Sequence, residues 1–187
     1  DDGTMKEIVE KPSEPISKLA NIGLYYIRDH ELLFEGVRHT LAADPSPSGE
    51  YYLTDAFQYM VDKGARLMTA PVEGWWDAGK PETLIETNGH LLETGRGLID
   101  VEASVEEAQI EEPVRIEAGA VVRGGKIGPN VTVEAGATVE ESVVRNSVVG
   151  ADARLMRVRI HDSLVGDGAT VSDFSGSLRV TDHSTLI

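Results

Sequence analysis

Gly74-Trp75-Trp76-Asp77-Ala78-Gly79-Lys80-Pro81 is the most chemically loaded stretch of the sequence. Two bulky aromatics lead to one carboxylate, Gly79 allows close backbone approach, and Lys80-Pro81-Glu82 opens a helix. A carboxylate in this setting caps a helix, closes a turn or ligates a hard cation. Upstream, Glu10-Lys11-Pro12 places a carboxylate and an ammonium at the end of an extended segment. On residue type alone Lys11 is either a solvated loop lysine or a phosphate contact. Asn21 and Gly23 interrupt the apolar run 19–27, and a polar side chain beside a glycine in such a run marks something lying close to the backbone. The sequence has no cysteine. A metal would therefore sit on oxygen or imidazole ligands, and carboxylates select magnesium or manganese.

These residues need elements to hold them. Residues 5–9 alternate as a strand after a turn at Asp1-Asp2-Gly3-Thr4. Tyr25-Tyr26-Ile27 favours a strand over 19–27, and 65–72 reads as a third. Leu32, Leu33, Val37 and Leu41 have helical spacing behind Asp29, a candidate cap. A second helix carries Phe57, Met60 and Val61, with Thr54 or Asp55 as its cap and Lys63-Gly64 as its end. A third resumes over 84–92 with Ile85, Leu91 and Leu92. The loop 44–49 is rich in Pro and Ser, and the region to residue 98 is mixed α/β.

The 187 residues are 41% apolar, enough for one or two domains with a core. The formal charge of −15 argues against a broad nucleic-acid or anionic-membrane surface. No apolar run reaches the ~20 residues that span a bilayer, and the expected setting is cytoplasmic. The chain opens without an initiator methionine, so it is expected to begin inside a domain.

Glu10-Lys11-Pro12, Asn21-Ile22-Gly23-Leu24-Tyr25, Gly49-Glu50-Tyr51-Tyr52-Leu53-Thr54-Asp55 and Trp76-Asp77-Ala78-Gly79, in that order and spacing, resemble the C-terminal part of the sugar-1-phosphate nucleotidyltransferases, most of all the long-form glucose-1-phosphate thymidylyltransferases. The resemblance implies a Rossmann-like domain in which a sugar 1-phosphate, here glucose 1-phosphate, attacks the α-phosphorus of dTTP or UTP and expels pyrophosphate. Such catalysis is positioning plus charge neutralisation. It further implies that Glu10 accepts hydrogen bonds from sugar hydroxyls and that Lys11 holds the sugar phosphate as the catalytic lysine. Asn21 and Gly23 would line the sugar pocket, and Asp77 would be one of two carboxylates holding Mg2+ or Mn2+. The family's Gly-x-Gly-Thr-Arg nucleotide loop and second metal-binding aspartate do not occur in these 187 residues. The expectation is a partial, catalytically incomplete domain over 1–98.

Beyond residue 98 the period changes. Ile116-Glu117-Ala118-Gly119-Ala120-Val121, Ile127-Gly128-Pro129-Asn130-Val131-Thr132, Val133-Glu134-Ala135-Gly136-Ala137-Thr138 and Val165-Gly166-Asp167-Gly168-Ala169-Thr170 are hexapeptides of a parallel β-helix. Ile110, Ile127 and Val144 recur every 17 residues, close to three hexapeptides. Residues 99–187 thus predict four or five coils, with Ser142, Ser147 and Ser163 at corners leading into core valines. Gly124-Gly125 reads as a corner, not a phosphate cradle. Left-handedness comes from the resemblance. The tail is expected to serve homo-oligomerisation or regulation. A hexapeptide acyltransferase, with His161 or His183 as base, and a non-catalytic oligomerisation module are the alternatives. His30, His39 and His90 read as surface residues, and Trp75 and Trp76 as packing.

Overall fold

The computed structural model describes residues 3–47 and 49–187. Asp1 and Asp2 of the expected turn, and Ser48 of the expected loop, lie outside the described residues. The chain forms two compact units, Asp1–Trp75 and Trp76–Ile187. The division at residue 98 follows the change of sequence period, whereas this one follows packing.

In the first unit, α1 (His30–Ala42) starts where Asp29 accepts the Leu32 N–H at 3.0 Å, as its sequence predicts. Helix α2 (Leu53–Asp62) has Tyr52 at its N-cap position with no side-chain cap. Thr54 and Asp55, the expected caps, lie inside the first turn instead. The Thr54 hydroxyl is directed to Glu10, and Asp55 complements the helix dipole. Ala56, Phe57 and Met60 are buried. The helices meet at Gly36, where an added Cβ would come within 2.8 Å of the Ala56 carbonyl oxygen.

The three strands expected over 5–9, 19–27 and 65–72 do not form as such. One antiparallel bridge, Thr4 with Met68, remains, flanked by Met5 N–H to Leu67 O (2.8 Å) and Thr69 N–H to Gly3 O (3.1 Å). Strand propensity is a preference for a pleated, half-buried surface and needs a ladder partner to be realised. Among the described residues these segments have none beyond that bridge. Leu24 is accordingly 80% exposed and Tyr26 88%.

The second unit is a parallel β-solenoid, in agreement with the expected left-handed β-helix. Ile99, Ile116, Val133, Val149, Val165 and Val180 stack in register on one face, so successive turns take 17, 17, 16, 16 and 15 residues. This gives about six turns among the described residues rather than the expected four or five. The additional turns are the outermost ones, where short strands (Leu98–Ile99, Thr185–Leu186) carry a weak hexapeptide signal. Ile110, Ile127 and Val144 are register partners, as their spacing predicts.

Inward side chains such as Ile116, Val122, Ile127, Val133, Val144 and Val149 are fully buried. Each such side chain contributes roughly 1.5–3 kcal/mol of transfer free energy. Residues at the three corners adopt positive φ between 42° and 72°, for example Gly119, Gly136 and Asp152 at one, Gly124, Glu141 and Arg157 at another, Asn130, Asn146 and Asp162 at the third. Gly, Asn and Asp tolerate this left-handed backbone, which is why they punctuate the repeat. Gly124, with φ of 64°, is such a corner residue, and Gly125 beside it extends the positive-φ backbone to 80°.

The serine theme is structural. Ser142, Ser147 and Ser163 are completely buried. Their hydroxyls donate to the carbonyls of Glu140, Arg145 and His161 (2.6, 2.6 and 2.7 Å). They accept the N–H groups of Val158, Ser163 and Leu178 from the following turn (3.1, 3.0 and 3.0 Å). Each serine thus closes a gap in the ladder where the chain turns.

Helix α3 (Pro81–Leu91) lies on the solenoid along the face of Val131–Val133, 147–149 and 163–165. Lys80 and Thr83 share a capping exchange at its start, and a π-turn over Leu92–Arg96 ends it. Ile85 and Leu92 are buried, the Thr132 hydroxyl donates to Asn88 at 2.7 Å, and Glu82 pairs with Arg179 at 2.7 Å. Val148 and Leu164, outward in their strands, lie on the face that the helix covers.

Candidate functional site

The first unit gathers two clusters. Lys11, with φ of 45°, sends its ammonium 2.8 Å from Glu50 Oε2 and 5.1 Å from the centre of the Tyr52 ring. The same carboxylate oxygen accepts the Tyr52 hydroxyl at 2.8 Å. The Glu50 hydrogen bond raises the Lys11 pKa above that of a free lysine, against an opposing desolvation. The ammonium is therefore firmly charged and exposed. Adjacent Glu10 accepts from the buried Thr54 hydroxyl at 3.3 Å. The segment Gly49–Asp55 thus supplies partners to both Glu10 and Lys11. The sequence offers Thr54 and Asp55 as helix caps, and the signal for a role at the site is the spacing of Glu50, Tyr52 and Thr54 around the start of α2.

The second cluster is a polar turn. Asn21 Oδ1 accepts the Gly23 N–H at 3.0 Å, and Asn21 Nδ2 donates to the Tyr25 hydroxyl. Gly23 has φ of 80°, a conformation that favours glycine. Tyr25 meets Phe57 edge-on with ring centres 4.6 Å apart, which ties the turn to the core of α2. The exposed Asn21 amide and the Gly23 backbone present hydrogen-bonding groups suited to hydroxyls.

Asp77 stands in the second unit. Its Oδ1 accepts the Gly79 N–H at 3.0 Å, and its backbone carbonyl accepts the Thr87 hydroxyl at 3.0 Å. Its Oδ2 has no hydrogen-bond partner among the described residues. A half-buried carboxylate with one oxygen fixed and one open is a suitable hard ligand for Mg2+. Among the described residues no three His, Cys, Asp or Glu side chains converge as a metal set. Trp75 and Trp76 are both about half exposed rather than packed in a core, and the Trp76 ring stacks on His90 at 3.8 Å and 13°. His90 is thereby engaged, as is exposed His39, whose ring centre lies 4.8 Å from that of Tyr59, while His30 is exposed.

The histidines of the alternative reading sit on the solenoid surface. His161 pairs with Asp162 at 2.8 Å, lowering that carboxyl's pKa together with Asn146. His183 is a corner residue with φ of 57°.

The model of a nucleotidyl transferase family matches residues 1–94. A glucose-1-phosphate thymidylyltransferase of Streptomyces griseus is 31% identical over 98% of this chain and 57% of its own length. A low-salt glycan biosynthesis nucleotidyltransferase of Haloferax volcanii is 36% identical over 91% of this chain and 52% of its own. A glucose-1-phosphate adenylyltransferase of Bacillus anthracis is 31% identical over 88% and 48%. The chain spans about half the length of the curated relatives it matches. No helix among the described residues is long and apolar enough to cross a membrane.

Proposed function

The chain belongs to the nucleotidyl transferase family, and from that premise we propose that it carries the sugar-phosphate side of an enzyme joining a nucleotidyl group to a sugar 1-phosphate, glucose 1-phosphate foremost, with release of pyrophosphate. The observation that carries this reading is the exposed, firmly charged Lys11 ammonium beside Glu10. A point charge of this kind suits the phosphate of a sugar 1-phosphate, and Glu50 with Tyr52 keeps it extended until substrate arrives. Glu10, Asn21 and Gly23 offer acceptors and donors for sugar hydroxyls. The names of the Streptomyces and Bacillus relatives support the sugar and point to dTTP or ATP as the nucleotide.

Asp77 would hold Mg2+ or Mn2+, which when bound neutralises phosphate charge. The protein's own part is to orient the sugar phosphate and place a lysine against its charge, which is where such reactions gain most of their rate. Because no Gly-x-Gly-Thr-Arg stretch occurs in the 187 residues, nucleotide handling is assigned to residues other than these, and the chain by itself is not expected to turn over. Self-association through the solenoid belongs to the same reading, with sedimentation of the chain as its check.

Calorimetric titration with glucose 1-phosphate tests the proposal. Binding that exceeds that of glucose and disappears in Lys11→Ala supports it. Equal weak heats for the wild type and Lys11→Ala would contradict it.

A further inference from the structure

Asp77 sits in a loop, yet a ligand or orienting carboxylate works only if held to within ~0.5 Å. Apart from the Gly79 N–H on its Oδ1, its restraints come from α3. The Thr87 hydroxyl holds the Asp77 carbonyl, and the His90 ring stacks on Trp76, the preceding residue. With one residue every 100°, Thr87 and His90 share one side of the helix, while Ile85, Asn88, Gly89 and Leu92 share the opposite side. That opposite side is the one fixed to the solenoid, through buried Ile85 and Leu92 and the Thr132 bond to Asn88.

We infer that Thr87 and His90 are positioning residues for the Asp77 carboxylate, and that α3 transmits to it the rigidity of the solenoid face beneath. The solenoid then has a direct part in the proposed reaction, as the foundation of one catalytic side chain. This rests on the reading of Asp77 as a functional carboxylate. Everything it invokes lies within the single unit Trp76–Ile187. Thr87 acts through its hydroxyl and His90 through a flat ring, so each has a conservative replacement that should preserve its effect.

The test is backbone and indole NMR relaxation on the 15N-labelled chain. Asp77, Ala78 and Gly79 amides and the Trp76 indole should show order parameters near ~0.85, those of rigid backbone, falling toward ~0.6 in Thr87→Val and His90→Ala. Thr87→Ser and His90→Phe should restore them, with solenoid resonances unchanged throughout as the control for folding. A loop already mobile in the wild type, or one indifferent to Thr87→Val and His90→Ala, overturns the inference. Mn2+ added to the same samples separates it from the reading beneath. Broadening at Asp77 that vanishes in Asp77→Asn supports the metal role. A rigid, Thr87-dependent loop without broadening would contradict that metal role and leave the clamp standing.

Discussion

The solenoid and the first unit answer the same physical demand in different ways. In the solenoid every turn offers its backbone to the next, and buried serines fill the ladder at corners. In the first unit two capped or dipole-favoured helices pack against each other, while segments of strand composition run with one bridge between them. Redundancy makes the solenoid rigid and chemically plain. The first unit keeps its polar side chains exposed, with Lys11 paired to Glu50 and Asn21 bonded to Gly23 and Tyr25 at the surface. Asp77 crosses this division, a chemically loaded residue standing on the rigid side.

The largest break in the contrast should come from a charge in the solenoid core. Val144 is fully buried, and Val144→Asp should abolish the cooperative thermal transition followed by circular dichroism, since an unpaired carboxylate costs several kcal/mol. Ile127→Ala should cost about 2–5 kcal/mol in denaturant titration, whereas Tyr26→Ser, in the exposed run, should stay within about 0.5 kcal/mol. A cost above ~1 kcal/mol for Tyr26→Ser would show that run to be covered in solution. Next in size is Ser147→Ala, which strands the Ser163 N–H and should cost about 1–3 kcal/mol by the same assay.

Charge effects should be smaller. Burial, helped by Asp167 and Glu117, raises the Glu134 pKa. A carboxyl raised on folding is best tolerated below its unfolded pKa and becomes a burden as pH rises through its folded one. Glu134→Gln should therefore raise the melting temperature at neutral pH and change little in acid. Asp173 and Glu111, lowered chiefly by their hydrogen bonds to Arg157 and Lys126, have the opposite sign. Their support is present above the unfolded pKa and fades as pH falls through the folded value. Removing either partner should matter at neutral pH and vanish in strong acid, by a small amount because these pairs are exposed.

Legibility in the sequence followed the same division. The repeat of Ile110, Ile127 and Val144 and the corner residues disclosed the solenoid because each turn restates one local rule. The outermost turns escaped because their strands are two residues long. Helix α1 was legible through Asp29, but the 19–27 strand was not realised, since pairing is a non-local property that Tyr25-Tyr26-Ile27 cannot specify alone. Glu10, Lys11, Asn21, Gly23 and Asp77 could be singled out by motif. Glu50 and Tyr52 belong to a motif too, but their pairing with Lys11, like that of Thr87 and His90 with Asp77 and Trp76, could not be read, because it depends on contacts between separate segments.

The most direct measurement is a map of amide shifts across the whole chain during titration with glucose 1-phosphate. The account predicts changes concentrated at Glu10-Lys11 and Asn21–Gly23, lost in Lys11→Met, with the solenoid silent. Changes centred instead on His161 or His183, or a map unaltered by Lys11→Met, would contradict it.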